Sequence, residues 1–347
     1  MPRRGKDSPG GKPGAIEAMA AAASFITVDD DSAGQRLDNF LATHLKGVPK
    51  SHVYRIVRSG EVRVNKGRVD AAYRLEQNDI VRIPPVRIAE KTPNPAIDAA
   101  SRAFSAGKAG NTRGSALDIL FEDDALLAIN KPAGMAVHGG SGISFGVIEG
   151  LRAIRTEAKF LELVHRIDRE TSGVLLIAKK RSALTGMHAM LRGESAQRIE
   201  KRYYALVKGI WPDERRHIRT RLAKYLTAAG ERRVSVDEDE GQESHTIVTR
   251  VEKLAGATLL DCEIMTGRTH QIRVHLGSTG FPVIGDDKYG DFALNKHVAA
   301  VRHGGLKRMF LHARLMAFPH PLSGEKIIIE APLSADLDKY LAYLRQV

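Results

Sequence analysis

Leu161–Lys180 reads LELVHRIDRETSGVLLIAKK. Leu161, Leu163 and Val164 open it as an apolar run, and His165, Arg166, Asp168 and Arg169 then crowd four charge-bearing side chains together. After Glu170, Thr171-Ser172-Gly173 has the composition of a turn. Val174–Ala178 is short and β-branched enough to be a buried strand. Asp168 is therefore expected in a loop among cations, immediately ahead of a rigid element. Opposite charges a few ångströms away favour the ionised form of a carboxylate. An ionised Asp anchored on a loop is what a nucleophile or general base requires. The same arrangement also serves as a salt bridge that fastens a loop to a sheet, and this stretch by itself leaves both readings open.

Upstream, Ile119-Leu120-Phe121, Glu122-Asp123-Asp124 and Leu126–Asn130 predict strand, tight turn and strand, closed by Lys131-Pro132-Ala133-Gly134. The glycine-rich run from His138 to Gly142 lacks the spacing and the Lys of a Walker loop. It is expected beside an RNA backbone or beside Asp168 rather than around a nucleotide phosphate. Downstream, Ser182–Arg192 predicts a surface helix and Lys201–Gly209 a strand ended by glycine. Tyr203 and Tyr204 are adjacent, so on a strand their rings face opposite ways. One can be core while the other offers a ring face to a base, a contact worth ~1–3 kcal/mol. Position alone does not choose between them.

Gly267–Leu276, GRTHQIRVHL, is the second chemical cluster. Its alternation suits a strand, but Thr269 as N-cap and Gly277 as terminator favour a helix. A metal site at His270 and His275 fails, because a spacing of five puts them on different helix faces without further ligands. Val248, Val251, Leu259 and Leu260 predict sheet core, with Cys262 a buried apolar residue. Arg215–Arg233 is basic and suited to RNA, and Asp237–Glu240 reads as a solvated hairpin tip. Arg308–Ala313 and Glu330–Leu333 read as sheet and packing.

Ahead of all this lies a smaller unit at 35–85. Leu37, Phe40, Leu41 and Leu45 share one helix face. After Pro49, Ser51 is placed to cap a second helix whose apolar face is Val53, Ile56 and Val57, ended by Gly60. Lys50, Arg55 and Arg58 are basic positions on that helix. Val62, Val64, Ile80, Val81 and Ile83 predict a small sheet. Ten Lys or Arg against five Asp or Glu lie between Gln35 and Pro85. Pro and Gly without apolar period mark 86–116 as a flexible linker. Residues 1–34 are read as a disordered basic tail and lead-in. Met1–Ser24 imitates a signal peptide, but Glu17 interrupts a run that is mostly alanine.

Across 347 residues, 53 Lys and Arg stand against 41 Asp and Glu, a net charge of +12. That balance favours a polyanionic partner, nucleic acid before membrane, since no long apolar segment is present. A single cysteine excludes an internal disulfide and a thiolate metal cage, and it fits a reducing cytoplasm.

HRIDRETSG resembles the active-site motif of the RluA-type RNA pseudouridine synthases. INKPAGMAVHGGSG and TGRTHQIRVHLGSTGFPVIGDDKYG resemble the family's first and third motifs, and K-x-Y-x-A-x-V-x-G at Lys201–Gly209 its second. RLDNFL followed by SHVYRIVRSGEVRVNKG resembles an S4 RNA-binding domain. The resemblance spans roughly 35–335. It implies an α+β fold: a pseudouridine synthase core at 117–347, with a long mixed, mostly antiparallel sheet and a central cleft, behind an S4-like α/β module. It implies catalysis by Asp168, Tyr203 and Arg273, with Arg273 as the partner of Asp168. Arg166 would fill the space vacated by a flipped uridine, and His138, Lys50, Arg55 and Arg58 would touch RNA. The expected partner is large-subunit (23S) ribosomal RNA, acted on by a monomer in the cytoplasm, with no metal, cofactor or membrane. Three routes stay open to Asp168: attack at C1′, attack on the base, or removal of a C2′ proton. Two other functions compete. A non-catalytic S4-type ribosome assembly factor would lack Asp168, Tyr203 or Arg273. A glycosidase would need a paired carboxylate, and Glu170 has no evident role as one.

Overall fold

A computed structural model describes residues 22–29, 32–45, 48–86, 118–139, 145–301 and 305–347. The chain separates into two compact units, Met1–Asn94 and Pro95–Val347. Most of the expected tail, the expected linker beyond Val86 and the glycines at 140 and 142 lie outside the described residues.

In the first unit, strands β1 (Ser24–Thr27), β2 (Arg63–Val64) and β3 (Ile80–Ile83) pair in the order β1-β3-β2. Helices Leu37–His44 and Lys50–Arg58 pack on them through Phe40, Leu41, Val53, Ile56 and Val57. The unit begins earlier than 35: β1 pairs antiparallel with β3, and Val28 is buried in the same core. Those residues belong to the module rather than to a tail. Pro49, not Ser51, holds the N-cap of the second helix (φ −58°, ψ 142°). Proline's fixed φ suits a helix start, where its missing N–H costs nothing. Lys50, Arg55 and Arg58 are exposed on this helix.

The second unit is built on one sheet. Its strands are β4 (Ile119–Glu122), β5 (Leu126–Lys131), β6 (Glu162–Leu163), β7 (Ser172–Ala178), β8 (Glu200–Lys208), β9 (Arg215–Leu226), β10 (Arg232–Val236), β11 (Gln242–Leu254), β12 (Ala257–Ile264), β13 (Leu311–Pro319) and β14 (Lys326–Glu330). Among the described residues they run β10-β9-β11-β12-β8-β13-β7-β5-β4, with β14 on β13 and β6 on β7. Every pairing is antiparallel except β13 with β7. The sheet is thus long, mixed and mostly antiparallel, as expected.

β7 is buried on both faces, which is why Val174–Ala178 carries no polar alternation. Leu175 and Ile177 join the core that also holds Tyr203, Ala205 and Val207, while Val174, Leu176 and Ala178 pack on the other side. Cys262 is fully buried, and burial pushes its thiol pKa up. Val248, Leu259 and Leu260 are core, but Val251 is 48% exposed. It falls at the irregularity between Arg250 and Glu252, where the inward–outward alternation slips.

Gly173 is the second residue of β7, paired in parallel with Ala313 of β13. Its φ is +107°, and a Cβ there would lie 2.1 Å from the carbonyl oxygen of Ala313. Backbone would have to move, since the obstacle is not a flexible side chain. Gly173→Ala is expected to cost about 3 kcal/mol or more. For a unit of this size the midpoint of thermal unfolding should fall by about 6–12 °C. A fall under about 2 °C in a thermal melt would show that the β7–β13 contact yields freely.

Candidate active site

Asp168 lies in the loop between β6 and β7, and that loop is fastened from beneath. The Lys131 ammonium, fully buried, donates to the carbonyls of Pro132 (2.8 Å), Met135 (2.9 Å) and Arg169 (3.0 Å). Burial pushes Lys131 down to about 7, and three carbonyls stand in for water around its protons. Gly134 N–H also donates to Arg169 O (2.9 Å), and Arg308 donates to Glu170 O (3.3 Å) and Ser172 Oγ (3.0 Å). The loop that carries Asp168 is therefore held by Lys131 at the end of β5, by Gly134 just beyond it and by Arg308 ahead of β13, together with its own Thr171 N–H donating to Asp168 O (3.1 Å).

The carboxylate is about one-quarter exposed, and its cation is not a sequence neighbour. Arg273 Nη1 donates to Asp168 Oδ2 at 3.1 Å. Arg166 instead contacts His138 Nε2 (3.2 Å), and Arg169 bonds Glu170 (2.8 Å). His165 is not a cation either. Its Nε2 accepts from Leu176 N–H (3.1 Å), and withdrawal from water together with the charge of Lys201 pushes it down to about 3.

Arg273 is itself held. Asp286, fully buried, accepts from Nε and Nη2, both at 2.7 Å, in a two-pronged pair. The guanidinium lies over the ring of Tyr289, 5.1 Å from its centre. Burial opposes its charge, but the hydrogen bonds and charge of Asp286, with the charge of Asp168, raise its pKa above the usual arginine value. Asp286 pays a desolvation cost and is still held below the usual carboxylate range by Arg273 and the amides of Lys288 and Tyr289. One fork thus faces structure, and the remaining nitrogen faces Asp168.

The helix carrying Arg273 runs Gln271–Ser278, with His270 at its N-cap in the left-handed region (φ 54°). Thr269 does not cap it. Gln271 does the local work: its Oε1 accepts from Thr266 Oγ1 (2.7 Å) and Arg268 N–H (3.0 Å), and its Nε2 donates to His245 O (3.0 Å). Gly277 is inside the helix and does not end it. The His270 turn brings its Nε2 to 4.0 Å from Asp168 Oδ1, while its Nδ1 contacts Tyr289 Oη at 2.7 Å. Burial lowers its pKa. His275 points away, bridging Ser244 (2.7 Å) and Thr246 (2.9 Å) in the core. Among the described residues, no group of three or more His, Cys, Asp or Glu is placed to hold a metal ion.

β8 resolves the tyrosine pair. Tyr203 is buried and lines the cleft, where burial, and then the charge of Asp168, raise its pKa. Tyr204 faces the opposite side under Arg314, 4.9 Å from its ring centre. Asp168, Tyr203, Arg166 and His138 line one cavity of ≈ 1650 Å³. The structure brings Asp168, Arg273 and Tyr203 together and places Arg166 with His138 at the same cleft. Lys50, Arg55 and Arg58 belong to the other unit. Asp286 and Tyr289 had no role assigned from the sequence, Lys131 was read as part of a turn, and His270 was weighed only as a metal ligand. The Asp-Asp-Lys-Tyr run at 286–289 was the available signal, and it says nothing about which partner each side chain finds.

Residues 125–278 match the family described as RNA pseudouridylate synthase, and residues 35–81 match the S4 domain. The chain is 50% identical over 329 residues to "Ribosomal large subunit pseudouridine synthase C" of Haemophilus ducreyi, covering 95% of this chain and 98% of that protein. To the protein of the same name from Yersinia pestis it is 51% identical over 322 residues, covering 93% and 96%. The fold is shared with human RNA Pseudouridylate Synthase Domain Containing 4, at a TM-score of 0.55 and 21% identity, covering 72% of this chain and 97% of that one. Human RNA Pseudouridylate Synthase Domain Containing 1 gives 0.52 at 23% identity, covering 68% and 98%. The chain belongs to the RNA pseudouridylate synthase family and carries an S4 domain ahead of the region that defines it.

Proposed function

We propose that the protein converts uridines of large-subunit ribosomal RNA to pseudouridine, with Asp168 as the group that acts on the nucleotide. The observation that carries this is a partly exposed carboxylate in a ≈ 1650 Å³ cleft, held at 3.1 Å by an arginine that is itself locked by a buried aspartate. The relatives' names supply the large ribosomal subunit as substrate. In the reaction the N1–C1′ bond breaks, the uracil rotates, and C5 bonds to C1′ while its proton is lost and N1 gains one. No electrons are exchanged, so the work asked of the site is holding, charge stabilisation and proton movement.

A base in a duplex is out of reach, so the uridine must leave its stack at a cost of a few kcal/mol. Arg166, exposed at the cleft and touching His138, suits the vacated space. Tyr203 offers its ring to the base, and Arg273 keeps Asp168 oriented. Lys50, Arg55 and Arg58 on the S4 module suit contacts to phosphate, which add affinity without sequence choice. We place the activity in the cytoplasm; among the described residues no helix is long and apolar enough to cross a membrane.

The full chain incubated with transcribed large-subunit RNA bearing tritium at uridine C5 should release tritium to solvent. Digested nucleosides should show pseudouridine at unchanged mass. Small-subunit RNA should release none. Equal release from both RNAs, or none from either, would overturn the substrate assignment or the activity respectively.

A further inference from the structure

Lys201 begins the cleft-facing side of β8, two residues before Tyr203 on the same face. That spacing is about 7 Å along the strand. The residue is 9% exposed and lines the cavity that holds Asp168. Among the described residues no carboxylate pairs with it, and no hydrogen bond engages its ammonium. The acids along this cleft are committed elsewhere: Asp168 to Arg273, Glu194 to Arg192, Glu200 to Arg202, and Glu263 acts on Arg202 from the neighbouring strand. His165 beside it is neutral and already bonded to Leu176 N–H.

An isolated buried cation is costly unless something supplies the opposite charge. Lys131, the other buried lysine, shows the contrast, because three carbonyls enclose it. Lys201 has no such cage and opens onto space wide enough for a nucleotide. We propose that Lys201 is the phosphate anchor of the cleft, receiving a backbone phosphate that directly flanks the nucleotide turned in toward Asp168. This rests on the functional reading above. The distance from Tyr203 lies within the span of one nucleotide, so base and phosphate can be held by the same strand face. Lys201 then fixes the register of the RNA against β8, and the bound phosphate supplies its missing counter-charge.

The test uses the full chain and an oligoribonucleotide containing one uridine that the wild-type protein modifies, with affinity read by filter binding. Replacing one flanking phosphate by an uncharged methylphosphonate should weaken wild-type binding by about tenfold. Lys201→Met should weaken binding to the unmodified RNA by a similar factor. In that variant the methylphosphonate should add nothing, whereas Lys201→Arg should retain most of the affinity. Independent, multiplying defects would overturn the proposal, as would a wild-type protein indifferent to both neutral linkages. The second of these outcomes is read even if Lys201→Met fails to fold. Tritium release by the wild type on the unmodified RNA reports the enzymatic reading separately.

Discussion

Asp168→Asn should lower pseudouridine formation by more than about 10⁴-fold, the scale on which removal of a central acting group is felt. Binding of the same RNA should stay within about threefold, worth less than about 0.7 kcal/mol. The substitution is nearly isosteric, and the amide oxygen can still accept from Arg273 Nη1, now at 3.1 Å from the carboxylate. The loop keeps its place because its anchors are Lys131, Gly134 and Arg308, none of which touches the side chain. What is lost is charge, and with it the ability to attack carbon or take a proton. Asp168→Ala should match it in turnover. Affinity by filter binding and rate by tritium release separate the two effects. An asparagine variant that turns over within tenfold of wild type would leave Asp168 as a loop fastener only.

That alternative, a salt bridge holding a loop to the sheet, was open on sequence grounds, and the structure shows why the sequence could not resolve it. Crowding of Arg166 and Arg169 around Asp168 suggested that they were its counter-charges. Loop geometry turns them outward to His138 and Glu170, and the cation is Arg273, 105 residues away, which the resemblance of the third motif pointed to and local charge did not. A long-range pair of this kind leaves no periodic trace. Strands were legible because they are buried patterns: Val174–Ala178 and Leu126–Asn130 fall where their apolar runs placed them. Helix ends were less so. Thr269 looked like a cap, yet Gln271 satisfies the turn with its amide and leaves His270 in a left-handed conformation. Alternation alone could not choose between Tyr203 and Tyr204; the K-x-Y resemblance pointed to Tyr203, which lines the cleft while Tyr204 lies under Arg314.

The second large effect follows from Arg273 being a structural and an active group at once. Its side chain is 4% exposed and that of Asp286 1%, so Arg273→Met strands a buried carboxylate with only the amides of Lys288 (2.8 Å) and Tyr289 (3.0 Å) for partners. Breaking such a pair costs about 3–5 kcal/mol. The unfolding midpoint should drop by about 6–20 °C, and turnover should collapse with it because Asp168 loses its cation. Fold and chemistry are separated by a second change. Arg273→Met combined with Asp286→Leu removes the stranded charge, so stability should largely return while turnover does not. The pH dependence carries the sign. In the wild type Asp286 titrates below its unfolded value, so the pair stabilises at neutral pH and that stability is lost only as pH falls through the lowered value. In Arg273→Met burial, the largest influence on this carboxyl, is opposed only by the amides of Lys288 and Tyr289, and the carboxyl is expected above its unfolded value. The variant then binds a proton on folding, so its deficit against wild type should narrow from pH 7 to pH 5. A deficit that is constant across that range would mean that its cost does not come from the stranded Asp286 carboxyl, and recovery of turnover in the double variant would mean that Arg273 serves the fold alone and not Asp168.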